Sequence, residues 1–362
     1  MKFSLYLCIT CFILFSTSCR KNNQRGINSQ NKTTDYIEAI PTTKSALEGD
    51  TMLYNALYPT GICIVDTFLL IAQHKDKNLI HVYSLNDTTF LGCFLNKGGG
   101  PNEVAIWSNF TQVWKENDGC KILIQSYPTF IAILNLEQSL KEGKAVFDSR
   151  DSYETGSNHD IMLSSNIAYR INNDTILFNR APQRIKDCNN YNIFGTLYDI
   201  KQKKEIKSFQ YTNLPSSNYF LLYSGRTALH PKQTKICFAG SFLNIISITD
   251  LKTGELLQIF PDGEKTNIDK IVSQMEDQSY YQDCLATDDR IILLSNKGQS
   301  NTSLFEEKYK SYLEIYDWNG KHHHSLIIPE SIYYIALDSR KGHIYAILED
   351  GGVKRYNINS FL

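Results

Sequence analysis

The sequence has no excess of charge of either sign, because 37 lysine and arginine residues stand against 38 aspartate and glutamate residues. It has neither the basic stripe that binds nucleic acid nor an acidic tail, so nucleic acid is not a predicted partner. Proline is scarce, with 9 residues, whereas there are 22 Tyr and 18 Phe residues, a composition that favours β-strands. No long amphipathic helical pattern occurs, and the closest, residues 267–278, is too polar for a core helix.

Motifs that identify common catalytic centres are also missing from the sequence. There is no G-x-S-x-G nucleophile elbow and no H-E-x-x-H zinc motif. His322, His323 and His324 are consecutive, and neighbouring residues on a strand point to opposite faces, so we interpret them as a solvated strand edge rather than a metal site. The sequence therefore predicts no metal, no cofactor and no catalytic residue.

The cysteines after Cys19 have no metal or redox spacing. They are Cys63, Cys93, Cys120, Cys188, Cys237 and Cys284. An even number in an exported chain allows a disulfide framework. Most of them lie inside apolar runs, where a buried cysteine behaves as a small hydrophobic residue. We favour free core thiols over disulfides.

The N-terminus has the pattern of an export signal. Lys2 is followed by a mostly apolar, uncharged run over residues 3–15, shorter than the roughly 20 residues that span a membrane. This predicts a signal peptide over residues 1–18. An ordinary cleaved signal is one interpretation. The favoured one is a bacterial lipoprotein signal, in which Cys19 becomes the acylated first residue and anchors the chain to a membrane. The polar residues 19–34 then form a flexible tether.

A unit of four short apolar runs recurs along the chain from residue 62 onwards. Its third run ends in an apolar, Tyr or Thr residue, then a small polar residue, then an apolar residue. The six endings are Tyr83-Ser84-Leu85, Leu134-Asn135-Leu136, Tyr198-Asp199-Ile200, Thr249-Asp250-Leu251, Tyr316-Asp317-Trp318 and Tyr356-Asn357-Ile358. Six repeats of four antiparallel strands predict an all-β fold, a six-bladed β-propeller over residues 35–362. A β-sandwich, the competing architecture, does not explain a sixfold repeat.

The two ends of the chain predict how the ring closes. After Ile358 only residues 359–362 remain, too few for a fourth strand in the last blade. Residues 35–40, with the sequence DYIEAI, have strand character. We therefore expect this N-terminal strand to complete the last blade and to remove two sheet edges.

The predicted connections differ in length according to the face on which they lie. Links from first to second strand and from third to fourth strand are short. Links from second to third strand and from blade to blade include the long loops, residues 97–109, 149–160, 180–190, 261–279 and 296–310. Loops on a rigid scaffold commonly carry binding residues, so the face with the long loops is the predicted binding face. The alternative is that insertions accumulated on one rim without a role.

The loop after the first blade has the most distinctive sequence, Gly98-Gly99-Gly100-Pro101-Asn102-Glu103. Glycine allows positive φ and close backbone approach, and proline fixes φ. No helix start and no P-loop Lys-Ser/Thr pair follows, so we favour a turn in which Glu103 bonds to backbone amides over a phosphate cradle. The candidate ligand-binding residues are Gly98, Gly100, Pro101, Asn102 and Glu103, with Arg180 and Arg184, which flank Pro182 and can bind a carboxylate or phosphate.

This loop resembles that of the TolB-like six-bladed β-propeller lipoproteins of Bacteroidetes, which commonly carry Gly-x-Gly-Pro-x-Glu and an aromatic residue after the first blade. Gly98, Gly100, Pro101 and Glu103 match, and Val104 stands where Phe or Tyr is usual. The resemblance implies a cell-envelope lipoprotein with no established chemistry. Arg20 and Lys21 follow Cys19 where surface-exported lipoproteins of that phylum tend to carry acidic residues, which favours an outer-membrane anchor facing the periplasm.

Two functional hypotheses follow. The favoured one is a non-enzymatic propeller that binds a peptide, glycan or partner protein at the face with the long loops. The alternative is a propeller enzyme, a lyase or a metal-dependent hydrolase, that uses carboxylates at the mouth of the central channel. Its candidate residues, Glu103, His159, Asp160 and Asp283, have no diagnostic spacing. Inward carboxylates clustered with His or Asn at the channel mouth favour the enzyme.

Overall fold

The computed structural model describes residues 33–37, 44–52, 58–105, 107, 109–126, 130–152, 165–180, 183–184, 191–214, 220–263, 267–268, 272, 278–300 and 310–362. All of them belong to one compact unit, Asn31–Leu362. Three short strands come first, β1 (Thr33–Ile37), β2 (Lys44–Ala46) and β3 (Gly49–Met52). The remaining strands form the blades of a ring.

The first three blades are consecutive antiparallel sheets. Blade 1 contains β4 (Pro59–Val65), β5 (Phe68–Gln73), β6 (Asn78–Ser84) and β7 (Phe90–Lys97), with the short β8 (Glu103–Val104) parallel to β7. Blade 2 contains β9 (Val113–Glu116), β10 (Gly119–Ser126), β11 (Phe130–Asn135), the helix α1 (Leu136–Glu142) and β12 (Phe147–Ser152). Blade 3 contains β13 (Ser165–Arg170), β14 (Thr175–Arg180), an inserted hairpin of β15 (Gln183–Arg184) and β16 (Tyr191–Asn192), β17 (Phe194–Asp199) and β18 (Lys204–Gln210).

The last three blades repeat the pattern. A short 3₁₀ helix, Phe220–Tyr223, precedes blade 4, which contains β19 (Gly225–Leu229), β20 (Lys235–Gly240), β21 (Ile246–Asp250) and β22 (Leu256–Phe260). Blade 5 contains β23 (Gln278–Ala286), β24 (Arg290–Ser300), β25 (Ser311–Asp317) and β26 (His322–Ile328). Blade 6 contains β27 (Ile332–Asp338), β28 (His343–Leu348) and β29 (Val353–Asn357), followed by a second 3₁₀ helix, Asn359–Phe361.

The predicted fold class is confirmed. The six four-stranded antiparallel sheets form a ring, the six-bladed β-propeller. Each predicted third run is a third strand, and every one of these strands ends at the small polar residue of the repeat: Ser84, Asn135, Asp199, Asp250, Asp317 and Asn357. The polar residue marks the turn because its side chain can bond to the following backbone amides, as Asp317 Oδ1 does with the Asn319 N–H at 2.8 Å.

An N-terminal strand closes the ring, but it is not the predicted one. β3 pairs antiparallel with β29 and completes blade 6. The proposed closing segment, residues 35–40, is wrong, because β1 instead pairs parallel with β22 as a fifth strand of blade 4. Connection length explains the difference, since only six residues, 53–58, separate β3 from the first strand of blade 1, within the usual range of about 2–6 residues.

The core lies between neighbouring blades. Middle strands are covered on both faces by adjacent sheets, so they consist of unbroken apolar runs. In β5, every position after Phe68 is buried. The described buried residues form six apolar clusters, each between two neighbouring blades. This arrangement makes each blade depend on both of its neighbours.

Ion pairs join several blades at the face with the short turns. Asp66 of blade 1 accepts from Lys115 of blade 2 at 2.6 Å and from Arg340 of blade 6 at 3.1 Å. Arg170 of blade 3 pairs with Glu116 of blade 2 at 3.1 Å. These pairs are partly exposed, so water screens them and each adds little to stability. They tie the turns of this face to one another.

Candidate functional site

Strand direction determines which connections share a face. Because strands within a blade are antiparallel, links from second to third strand and from blade to blade lie at the same end. We call this end the loop-rich face. It carries the connections 98–112, 153–164, 181–193, 211–224, 261–277 and 301–310. The opposite face has turns of two to five residues, except that α1 lies between β11 and β12. The expectation that all links of this class are short is therefore wrong in blade 2.

Residues 98–103 form a turn that folds back on β7. The Gly98 N–H donates to the Val104 carbonyl at 2.9 Å, and the Glu103 N–H donates to the Gly100 carbonyl at 3.1 Å. Glu103 Oε2 accepts from the Gly100 N–H at 2.8 Å. The favoured interpretation, a turn in which Glu103 bonds to a backbone amide, is confirmed.

The glycines of this turn are required by space rather than by φ. Gly98 and Gly100 are not among the positive-φ residues, so the freedom of glycine to adopt a positive φ is not used here. A Cβ on Gly98 would lie 2.0 Å from Glu103 Oε2, and a Cβ on Gly100 would lie 3.0 Å from it. A Cβ on Gly99 would meet nothing within 4 Å. Close approach of the carboxylate to the backbone is thus the reason for two of the three glycines.

The turn forms one wall of a cavity of about 290 Å³. The end of β7 forms the second wall, and the turn that follows α1 forms the third. The lining residues are Asn78, Phe94, Leu95, Asn96, Gly100, Pro101, Asn102, Glu103, Gly143, Lys144 and Ala145. The structure thus brings four of the predicted site residues, Gly100, Pro101, Asn102 and Glu103, around one cavity.

Two β7 residues in the cavity wall have unusual environments. Leu95 is buried and has a φ of 70°, a conformation that is rare for a bulky residue and that concentrates at functional sites. Asn96 Oδ1 is buried and has no hydrogen-bond partner within the described part of the chain. Such atoms are rare in folded proteins. Nothing in the strand sequence FLGCFLNK marks these positions, so sequence reasoning missed them.

The sequence reasoning also missed α1 and the turn after it, which forms the third wall, although the sequence contains the boundary signals of this helix. Asn135 caps α1, with its side chain accepting from the Gln138 N–H at 3.1 Å. Gly143 ends the helix at a φ of 66°. Asn before a short polar-apolar segment and Gly after it are standard helix boundary signals.

Charged groups in and beside the cavity hold its walls in place. The Arg150 guanidinium of β12 donates to the Pro101 carbonyl and lies 3.8 Å from the centroid of the Phe130 ring. Lys144 pairs with Glu142 at 3.2 Å. Arg150 therefore links the turn after blade 1 to blade 2.

The predicted arginines lie in another blade. Arg180 ends β14 and Arg184 lies in β15, so both belong to the second-to-third connection of blade 3, on the loop-rich face. Pro182 lies outside the described residues, and the structure describes only the backbone of the two arginines. Their role in ligand binding stays a prediction.

The carboxylates proposed for a channel enzyme are only partly described. His159 and Asp160 lie outside the described residues. Asp283, on β23, accepts from the Ile335 N–H of blade 6 at 3.0 Å and from the Cys284 N–H at 2.9 Å. Burial raises the pKa of Asp283. Both of its oxygens serve the backbone, which makes this side chain a bridge between blades 5 and 6.

The three consecutive histidines are not a solvated edge. His322 is buried, and its Nε2 lies 2.9 Å from Glu314 Oε2. His323 pairs with Asp317 at 3.1 Å, and the His324 ring lies 5.3 Å from the ring of Phe361. Alternation along β26 separates them as expected, but His322 is buried, and His323 and His324 are half-buried rather than exposed. Among the described residues, no group of three or more His, Cys, Asp or Glu side chains is arranged to hold a metal.

The described cysteines are free thiols, as expected. Cys120, Cys237 and Cys284 are buried, and Cys63 and Cys93 are half-buried. Burial raises the pKa of Cys63 well above its ordinary value. Cys188 lies outside the described residues. Cys63 is therefore a weak nucleophile, and the buried thiols serve packing as small hydrophobic groups.

Comparisons with known proteins identify the fold. No protein-family model matches the sequence, and no curated protein matches it. A member of the DUF4221 family from Bacteroides vulgatus has a similar structure, with a TM-score of 0.57 and 8% identity, covering 87% of this chain and 98% of the other. A protein of Bacteroides fragilis, named as a candidate exported protein, gives a TM-score of 0.50 and 12% identity, covering 90% of this chain and 99% of the other.

At this identity the likeness concerns the fold alone. The resemblance to TolB-like lipoproteins stays a prediction. Within the described residues, no helix combines the length and the apolar character needed to cross a membrane. The signal peptide, the lipidation of Cys19 and the tether lie outside the described residues and stay predictions as well.

Proposed function

We propose that this chain is an exported, lipid-anchored protein of the bacterial cell envelope that binds a peptide, glycan or partner protein through its loop-rich face without catalysing a reaction. The resemblance to TolB-like envelope lipoproteins and the signal ending at Cys19 support the location. The similar fold of a Bacteroides protein named as a candidate exported protein is consistent with it.

One observation carries the binding assignment. The long connections gather on one face, and the first of them folds into a hydrogen-bonded turn that walls a cavity of about 290 Å³. Ordering a loop costs conformational entropy, so a chain with no use for long loops can shorten them at little cost. A folded turn with a cavity beneath it is better explained by a bound ligand than by accumulated insertions.

The catalytic alternative receives less support. Asp283 uses both carboxylate oxygens to accept backbone N–H groups. A general base or metal ligand needs an oxygen that is open to the substrate or the ion. Asp283 therefore fits neither role, and of the four candidates only Glu103 is described with an open oxygen.

The proposal is tested by capture from envelope extract with the tagged full chain and two matched double variants. One variant carries Glu103→Ala and Arg184→Ala on the loop-rich face. The other carries Glu255→Ala and Lys252→Ala in the exposed third-to-fourth turn of blade 4, which removes one acid and one base as well. Specific loss of a captured partner in the first variant is expected. Loss in the second variant alone contradicts the proposal.

Anchoring is tested separately by cell fractionation. Cys19→Ser removes the sulfur that receives the lipid, so the variant should leave the membrane fraction. A variant that stays with the membrane in full contradicts the anchor. Protease treatment of intact cells that removed the wild-type protein would contradict the periplasmic orientation.

A further inference from the structure

The size of the cavity limits the size of its ligand. The cavity lies between β7, the 98–103 turn and the turn after α1. Its volume is about 290 Å³, at the lower end of ligand pockets, which span roughly 300–1,000 Å³. The turn after α1, about 40 residues further along the chain, completes the wall that β7 and the adjoining 98–103 turn begin, so the cavity is a feature of the folded chain rather than of one loop. Such a cavity takes a group about the size of one amino-acid side chain.

Two hydrogen-bond acceptors remain open in the wall. Glu103 Oε2 holds the Gly100 N–H, and no described group donates to the second oxygen of this carboxylate. Asn96 Oδ1 is buried without a donor in the described part of the protein. An acceptor that is left unpaired away from water destabilises the folded protein. A ligand that donates hydrogen bonds removes this cost.

Lys144 contributes a cationic side chain to the lining, but this side chain has another partner. Lys144 pairs with Glu142, which does not line the cavity, at 3.2 Å. The Glu103 carboxylate therefore has no described cationic partner, and its charge favours a cation over a neutral donor. Buried Phe94, buried Leu95 and Ala145 supply apolar walls. The cavity thus combines a carboxylate and an amide oxygen with walls that suit an alkyl chain.

We propose that this cavity binds a primary ammonium carried on a short alkyl chain, the chemistry shared by a lysine side chain and an aliphatic diamine. An ammonium has three donors and no acceptor, which matches the open oxygens of Glu103 and Asn96. The alkyl chain contacts the apolar wall while the ammonium lies at Glu103. This inference deepens the proposed function and depends on it, because it names the chemistry recognised at the loop-rich face.

The test is calorimetric titration of the full chain, purified in detergent, with three probes. Nα-acetyl-lysine methylamide and cadaverine both carry the alkylammonium, and they distinguish a peptide side chain from a free diamine. Nα-acetyl-norleucine methylamide has a similar alkyl chain without the ammonium. Saturable binding of at least one ammonium probe at millimolar concentration, and much weaker binding of the norleucine probe, are expected.

Three variants test whether the ammonium probes bind in this cavity. Glu103→Gln keeps an oxygen for the Gly100 N–H and removes the charge, so affinity should fall about tenfold or more, as for a hydrogen bond to a charged group. Glu255→Gln makes the same charge change at an exposed turn of blade 4 and should leave affinity unchanged. Asn96→Leu replaces an unpaired buried oxygen with an apolar group, so it should keep the fold and also weaken binding. It provides the test if Glu103→Gln does not fold.

Three results would overturn the inference: no binding of either ammonium probe, equal binding of the norleucine probe, or unchanged affinity in both Glu103→Gln and Asn96→Leu. The two proposals can fail separately. If the Glu103→Ala, Arg184→Ala variant no longer captures an envelope partner and no ammonium probe binds, this inference fails and the proposed function stands. If the probes bind as expected while partner capture does not depend on that face, the site stands and the proposed function fails.

Discussion

Replacing Gly98 by Ala should disturb the 98–103 turn through one side chain. The added Cβ would lie 2.0 Å from Glu103 Oε2. Because this oxygen is the end of a flexible side chain, it can move away, and the cost is its 2.8 Å bond from the Gly100 N–H. A hydrogen bond to a charged group contributes about 1.5–3 kcal/mol. The turn is half-buried, so we expect a loss near the lower limit.

Gly99→Ala is the matched control. Its Cβ would meet nothing within 4 Å, and Gly99 has no positive φ. Restricting the unfolded chain should therefore make this variant neutral or more stable by about 0.4–1 kcal/mol. Urea unfolding followed by tryptophan fluorescence measures both variants under the same conditions.

A double-mutant cycle connects the effect to Glu103. In a Glu103→Ala background, the Cβ on position 98 has no carboxylate to displace, so Gly98→Ala should cost almost nothing. Two results would refute the reasoning. One is a Gly99→Ala variant as unstable as Gly98→Ala, and the other is an unchanged cost of Gly98→Ala when Glu103 is absent.

Three further predictions concern the scaffold. Removing β3 (Gly49–Met52) should destabilise the ring by several kcal/mol, and removing β1 (Thr33–Ile37) by less, since only β3 completes a blade; equal thermal unfolding of the two deletions would contradict this. Burial pushes the pKa of Glu314 up, but the bond to His322 and the Lys297 ammonium outweigh burial and hold the pKa below its ordinary value, so Glu314→Gln should cost about 3–5 kcal/mol at neutral pH. This stabilisation should be complete above the unfolded pKa and be lost as the pH falls through the folded pKa; a pH-independent difference in stability would argue against it. The denatured, unreduced protein should react with a thiol reagent at Cys63, Cys93, Cys120, Cys237 and Cys284, and mass spectrometry that found any two blocked until reduction would indicate a disulfide.

The repeated part of the fold was predictable because burial leaves a strong pattern. The middle strands of each blade are covered on both faces, so runs such as FLLIAQ in β5 contain little but apolar residues. The polar residue at the end of each third run carries the turn, as Asp317 shows. Both signals are local, and both recur in every blade.

The closing strand was not predictable from its own residues. β3 has the sequence GDTM, with its two central residues exposed, and an edge strand of this kind has no apolar pattern. Residues 35–40 look more like a strand, yet β1 pairs with blade 4. Pairing partners depend on the whole ring, and only the short connection to β4 pointed to β3.

The candidate site was predicted in part for a similar reason. The turn of residues 98–103 stood out through its glycines, and Glu103 bonds within it as expected. Leu95 is unusual only because of its positive φ, and Asn96 only because of its unpaired side-chain oxygen. Both features depend on tertiary packing. The histidine run was misjudged because its burial comes from contacts such as that of His322 with Glu314.

The central claim is that the loop-rich face is the binding face. Site-specific photo-crosslinking in living cells tests it most directly, with the photoreactive residue placed at exposed Asn102 of the 98–103 turn or at exposed Lys252 on the opposite face. We expect a discrete cross-linked product from position 102 and none from position 252. A product from position 252 alone would contradict it.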